Sequence, residues 1–271
     1  MVRKMRGVVM VGLLSAMLAT SAWSATVTFK DPVGDDKGPG GYTYPTDAVY
    51  TPGSFDITQF DVTAKGSNVN FAVSVNSKLE DPWGMGVGFA VQMIFIFIDT
   101  DNKPGSGHIE GLPGLNIQFD PANAWDKVVI LSPQKQARVL SEAKIKAPDL
   151  LKDILVPNRT TGSGKTIEGA VKLADLGGGD PAQWSYQVIM QSNEGFPAKT
   201  DLLTRKVNEY EGQHRYGGGN DADCDPHVMD LLAGKGEGKP EEVQLQQEML
   251  KYECDATGGS VKRATLIMVH K

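Results

Sequence analysis

Residues 69–75 alternate: Val69, Phe71, Val73 and Val75 fall on one side, Asn70, Ala72 and Ser74 on the other. Side chains on a strand repeat every two residues, so this segment predicts a strand with one buried face. Residues 93–98 are apolar without a break, which predicts a central strand covered on both faces. Residues 127–131, 184–191 and 263–269 also predict strands. The period changes at 241–252. There Val243, Leu245, Met249, Leu250 and Tyr252 fall mostly on one helical face, and Pro240 stands at the start, where its missing N–H is no loss. That stretch predicts a helix packed on a sheet. Glycine and proline punctuate the chain at short intervals, and neither a linker nor a repeat divides it. The pattern predicts one mostly β domain over residues 25–271, an antiparallel β-sandwich with one or two short helices.

The N-terminal segment reads differently. Arg3, Lys4 and Arg6 precede an apolar run from Gly7 to Leu18, and Ala22 and Ser24 place small residues for cleavage after Ser24. This order predicts a secretory signal peptide over residues 1–24, with an uncleaved anchor as the alternative. The run is shorter than the roughly 20 apolar residues that span a bilayer. Cleavage removes three positive charges, so the formal charge moves from −6 to −9. Such a balance excludes a basic footprint for nucleic acid. The expected location is the periplasm or cell surface. Two cysteines, Cys224 and Cys254, form an even pair in an exported chain, and a disulfide between them is expected.

Candidate chemistry gathers in acidic loops. Residues 31–46 carry Asp31, Asp35 and Asp36 among glycines and prolines. Glycines let backbone carbonyls turn inward, and Ca²⁺ takes six to eight oxygens of this kind. A solvated acidic turn explains the same residues through local hydrogen bonds, so both readings stand. Asp99 and Asp101 follow the apolar run 93–98 and share one strand face. Their D-x-D start resembles a calcium loop, but Lys103 and the spacing to Glu110 exclude an EF-hand. A third acidic loop, residues 220–226, needs no ion, since a disulfide would close it.

Other motifs fail on inspection. Residues 161–166 suggest a phosphate loop, but Arg159 occupies the place of the first glycine, so a hairpin turn is expected. His108, His214, His227 and His270 show no metal spacing, and no G-x-S-x-G elbow is present. Of the tryptophans, Trp184 lies on an expected strand and reads as core. Trp83, in the turn Asp81-Pro82-Trp83-Gly84, and Trp125 are open to two readings, core packing or a platform for a sugar ring.

A family resemblance then emerges from ordered motifs. They are Asp31-Pro-x-Gly-Asp-Asp-x-Gly-Pro-Gly, Tyr42-x-Tyr-Pro-Thr46, Gly53-Ser-Phe-Asp-Ile57, Asp81-Pro-Trp-Gly84 and Ile98-Asp-Thr-Asp101. Leu112-Pro-Gly114, Glu194-Gly-Phe-Pro197, Arg215-Tyr-Gly-Gly-Gly219 and Asp225-Pro226 continue the series. Over nearly the whole chain after residue 24 the sequence resembles the C-terminal binding module of glucodextranase. The resemblance implies a sandwich of the kind found in family-9 carbohydrate-binding modules and DOMON domains. It implies a carbohydrate or cell-envelope ligand, with Tyr42, Tyr44, Trp83 and Trp125 as ligand-binding candidates. It also implies structural calcium, with Asp31, Asp35, Asp36, Asp99 and Asp101 as metal candidates. It transfers no catalytic residue, because catalysis in that family belongs to another domain. The cysteine pair is not a feature associated with the family.

The leading expectation is therefore a non-catalytic binding protein for α-glucan or envelope carbohydrate, serving a separate glycan-acting enzyme. The alternative is a haem-binding DOMON-like redox accessory, with Met85, Met93, Met190 and His108 as conceivable ligands. Haem would be non-covalent, since no C-x-x-C-H motif exists. A hydrolase is the third and weakest reading, because the acids crowd into loops that suit ion binding.

Overall fold

Alternating and continuously apolar strands end up in different sheets. The computed structural model describes residues 26–221 and 224–271. The signal-peptide reading of residues 1–24 falls outside the described residues. The chain runs through β1 (Thr26–Lys30), β2 (Ile57–Lys65), β3 (Asn68–Val75), β4 (Gln92–Asp99), β5 (Ile117–Phe119) and β6 (Lys127–Leu131). Helix α1 (Gln136–Lys146) follows, then β7 (Ile154–Leu155), β8 (Thr160–Ser163), β9 (Thr166–Lys172) and β10 (Ser185–Ser192). The last part holds β11 (Asp230–Leu231), helix α2 (Pro240–Met249), β12 (Glu253–Cys254), β13 (Ser260–Lys262) and β14 (Ala264–Leu266).

The first sheet has the order β1-β2-β3-β9-β8 and is antiparallel throughout. The alternation in β3 is realised there: Val69, Phe71, Val73 and Val75 are buried, and the polar residues face outward. The second sheet has the order β11-β10-β4-β6-β7, antiparallel except for the parallel β6–β7 pair. Every residue of β4 and of β10 is buried. The reason is a third layer. Between the sheets, Phe29, Phe60 and Phe71 meet Ile94, Ile96, Tyr186 and Val188. On the outer face of the second sheet, Phe95, Phe97 and Ile130 meet Val139 and Ala143 of α1, together with Trp125, Phe119 and Leu266. Each large apolar side chain so buried contributes about 1.5–3 kcal/mol relative to exposure.

The turn expected within residues 161–166 is Gly164-Lys165, which joins β8 to β9, with Gly164 at φ 63°. The expected strand at 263–269 is shorter. Only β14 is regular; it pairs in parallel with β5, and Val269 adds a single bridge to Tyr186. Helix α2 stands where expected, and Met249 and the following Leu250 of its expected apolar face pack on the core, but the fully buried side chains within the helix are polar. Its buried residues are Glu242 and Gln246, and Leu245 is 44% exposed. The polar side chains turn inward because each serves several backbone groups. Glu242 accepts from the N–H groups of Lys235, Glu237, Gly238 and Lys239 at 2.7–3.2 Å. Gln246 accepts from Leu231 N at 2.9 Å and donates to the Asp35 carbonyl at 2.7 Å.

Cys224 and Cys254 form a disulfide with Cα atoms 5.9 Å apart. It ties the loop ahead of β11 to β12, so α2 is pinned from both sides. The bridge closes a loop with a sequence separation of 30, which in the chain-entropy model stabilises by roughly 3 kcal/mol. Melting in the presence of a strong reductant should lower the midpoint accordingly. A midpoint that ignores the reductant, with thiol titration showing full reduction, would reject that contribution.

Candidate functional site

The first strand delivers a carboxylate into the interior. Asp31 follows β1, and its N–H donates to the Thr58 carbonyl at 3.2 Å. Gly34, at φ 91°, turns the chain there and donates its N–H to Asp56 Oδ2 at 2.8 Å. The turn brings Asp35 beside Asp31. From the edge of the second sheet, Asp230 in β11 completes the group. Asp31, Asp35 and Asp230 each place a carboxylate oxygen within 4.8 Å of the others, and all three are buried.

The electrostatics of this group are unusual. Both oxygens of Asp31, both of Asp35 and Oδ1 of Asp56 are buried without a hydrogen-bond partner. Asp230 is better served, accepting from Ile57 N at 2.6 Å and Leu231 N at 2.9 Å. Burial raises the Asp31 carboxyl well above its usual range, and Asp230 and Asp35 add repulsion. Burial and then Asp56 push Asp35 up to about 7. Burial and then Asp36 push Asp56 up to about 6. Burial, followed by Asp35, raises Asp230 as well.

An all-oxygen donor set with four orphaned oxygens on two buried aspartates suits Ca²⁺, whereas Zn²⁺ prefers nitrogen and sulfur. Asp36 lies outside the trio. Its carboxylate takes the Tyr44 hydroxyl, and that same hydroxyl oxygen accepts the Phe55 N–H at 3.2 Å.

Asp99 and Asp101 do not join this centre. They group instead with Asp126. Asp99 is paired with Ser185 and Asp230 with Met190, on opposite sides of β10. At about 3.4 Å per residue these positions are separated by roughly 17 Å along the strand. The second group is already occupied with its own turn. Asp99 Oδ1 accepts from Asn102 N at 2.7 Å, Asp101 Oδ1 from Lys103 N at 2.9 Å, and Asp126 Oδ2 from Thr100 N at 2.9 Å.

Two of the four ligand-binding candidates lie in the core. Trp125 is fully buried, with its ring against Phe97 and its Nε1–H donating to the Glu110 carbonyl at 3.0 Å. The third layer folds over it, so no face is left for a sugar. Tyr42 is also core, its hydroxyl donating to the Pro226 carbonyl at 2.6 Å. Tyr44 is half-buried and held by Asp36. Trp83 is 38% exposed on its loop, in edge contact with Tyr50 and His214. Sequence reasoning missed both neighbours, as it missed Asp230. Phe196 and Tyr210 are exposed on other loops.

Two of the conceivable haem ligands lie apart. Met93 and Met190 belong to cores on opposite faces of the second sheet. His108 directs Nε2 to Asp153 at 2.8 Å and packs on Trp125.

Comparison with known proteins gives one family. The C-terminal binding-module, SLH-like, of glucodextranase matches residues 26–268. No curated protein matches the chain.

Proposed function

We propose, because this chain belongs to the family of SLH-like C-terminal binding modules of glucodextranase, that it binds carbohydrate outside the cytoplasm, without catalysis of its own, and holds structural Ca²⁺. The observation that carries the reading is the match of a binding module over residues 26–268. The exposed indole of Trp83, on a loop beyond the sheets, is of the kind on which a sugar ring stacks. The ligand class is α-glucan or a cell-envelope polysaccharide, and a separate glycan-acting enzyme is the natural partner of such a module. Export is supported by the charge and apolar pattern of residues 1–24 and by the Cys224–Cys254 disulfide. Among the described residues no helix is long and apolar enough to cross a membrane.

Asp31, Asp35 and Asp230 would hold the ion, with Asp56 beside them. Bound there, Ca²⁺ supplies positive charge and coordination to oxygens that the fold leaves unpartnered. Its role is to lock the turn after β1 against β11, which joins the edges of the two sheets.

Affinity electrophoresis tests the carbohydrate reading. Native gels cast with soluble α-glucans or with extracted envelope polysaccharides should retard the protein relative to an inert marker. Unaltered mobility in every gel would reject carbohydrate binding.

A further inference from the structure

The rim around Trp83 conceals three polar atoms that the fold does not use. Tyr50 is 4% exposed, and its Oη is buried without a partner. His214 Nδ1 and Arg205 Nε share that condition. Native folds leave few buried polar atoms in this state. Here the groups converge. The Tyr50 ring lies 5.9 Å from His214 and 6.3 Å from Trp83, and Trp83 lies 6.5 Å from His214, centroid to centroid. Arg205 Nη1 donates to the His214 carbonyl at 2.6 Å.

The surroundings specify charge. Arg205 and Arg215 both lean on Glu194, and Arg205 Nη2 also donates to the Asn193 carbonyl at 3.3 Å. Both guanidiniums are thus held on Glu194, with Arg205 Nε alone left unpartnered. The remaining rim charges are carboxylates, Asp47 on Gln213 and Asp81 at the base of the Trp83 turn. Gly84, Gly86 and Gly88 follow Trp83 with φ of 63°, 75° and 87°, a run of backbone that other residues rarely adopt. A groove of about 370 Å³, lined by Val49, Thr51, Glu80, Asp81 and Pro82 among others, lies between the loops that carry Tyr50 and Trp83 and gives room for adjoining sugar units.

We infer that Trp83 is the movable cover of a subsite for a neutral pyranose within a glucan. The indole takes the C–H face of the sugar, and turning to meet it opens Tyr50 Oη, His214 Nδ1 and Arg205 Nε to the sugar hydroxyls. The inference rests on the carbohydrate reading above and adds to it a place, a charge class and a motion.

Two variants and one optical signal test it. Trp83→Ala removes the platform at an exposed position. Tyr50→Phe removes only a hydroxyl that has no partner in the free protein, so its melting midpoint should not fall. Wild type should be retarded by neutral α-glucan, Trp83→Ala should bind at least tenfold more weakly, and Tyr50→Phe several-fold more weakly. Neutral glucan should also shift the tryptophan emission of wild type, because Trp125 and Trp184 are buried and Trp83 is not. If wild type is retarded and both variants match it, the subsite is wrong and the carbohydrate reading survives. Retardation by anionic polymers alone overturns the neutral class. No retardation by any polymer overturns both.

Discussion

Stripping calcium should lower the melting midpoint by roughly 8–16 °C relative to a thousandfold excess of Ca²⁺ over its dissociation constant. The figure follows from linkage. An ion bound only by the native state stabilises by about 4.1 kcal/mol at that excess, and each kcal/mol moves the midpoint of a domain this size by about 2–4 °C. Asp230→Asn should remove most of the response. It weakens the trio yet leaves one oxygen for the Ile57 N–H, while the Leu231 N–H keeps Gln246 Oε1 as its acceptor.

The pH dependence gives an independent handle. Asp35 and Asp56 stand at about 7 and about 6 without the ion, against 3.8 as their ordinary value. A carboxyl raised in the folded state holds its proton more tightly there than in the unfolded chain. The contribution of these two groups to the stability of the calcium-free protein is therefore fully present below about pH 3.8 and is lost as pH rises from there through 6 to 7. Calcium needs the ionised oxygens, so its stabilising effect should grow over the same window. Melting calcium-stripped and calcium-loaded samples from pH 5 to pH 8 checks both signs. Parallel curves, with no calcium found by elemental analysis, would return these aspartates to a role without metal.

Glu242→Ala should destabilise by about 4 kcal/mol. The side chain is 2% exposed and its carboxylate collects N–H groups from four residues of one turn. Hydrogen bonds to a charged group are worth about 1.5–3 kcal/mol each, and water recovers part of the loss on the exposed side of the turn. Glu242→Gln keeps one acceptor oxygen and should lose about half as much. The effect should also reach the acidic centre, because α2 holds the Asp35 carbonyl through Gln246. Denaturant unfolding with and without Ca²⁺ measures both consequences. An alanine variant within 1 kcal/mol of wild type would show that the turn holds itself.

The sheets were legible because their signal is periodic. Val69 through Val75 alternate, and residues 93–98 do not, and those two patterns distinguish a strand with one dry face from a strand with two. The helix at 240–249 was legible as a helix but not in its orientation. Hydrophobicity pointed to Leu245, whereas the orientation is set by the hydrogen bonds of Glu242 and Gln246, which no apolar pattern encodes. Asp31 and Asp35 stood out through the glycine-rich loop around them. Asp230 did not, since it sits alone in an apolar stretch far along the chain and meets them only through the packing of the two sheets. Trp125 stayed open between two readings for a related reason. Its neighbours in sequence look like a loop, but segments 108–119 and 264–266 cover it, and only the tertiary structure brings those over the sheet.

The third layer also sets the order in which the fold can be completed. Ala264, Leu266 and Val269 seat against β5 and Tyr186, partners made much earlier in synthesis. Such pairings across long stretches of chain are slow, since the loop between them must close before any contact rewards it. Until residues 264–269 dock, Phe97, Phe119 and the outer face of β4 lack part of their cover. The chain therefore carries an unfinished apolar surface until residues 264–269 have been made and docked.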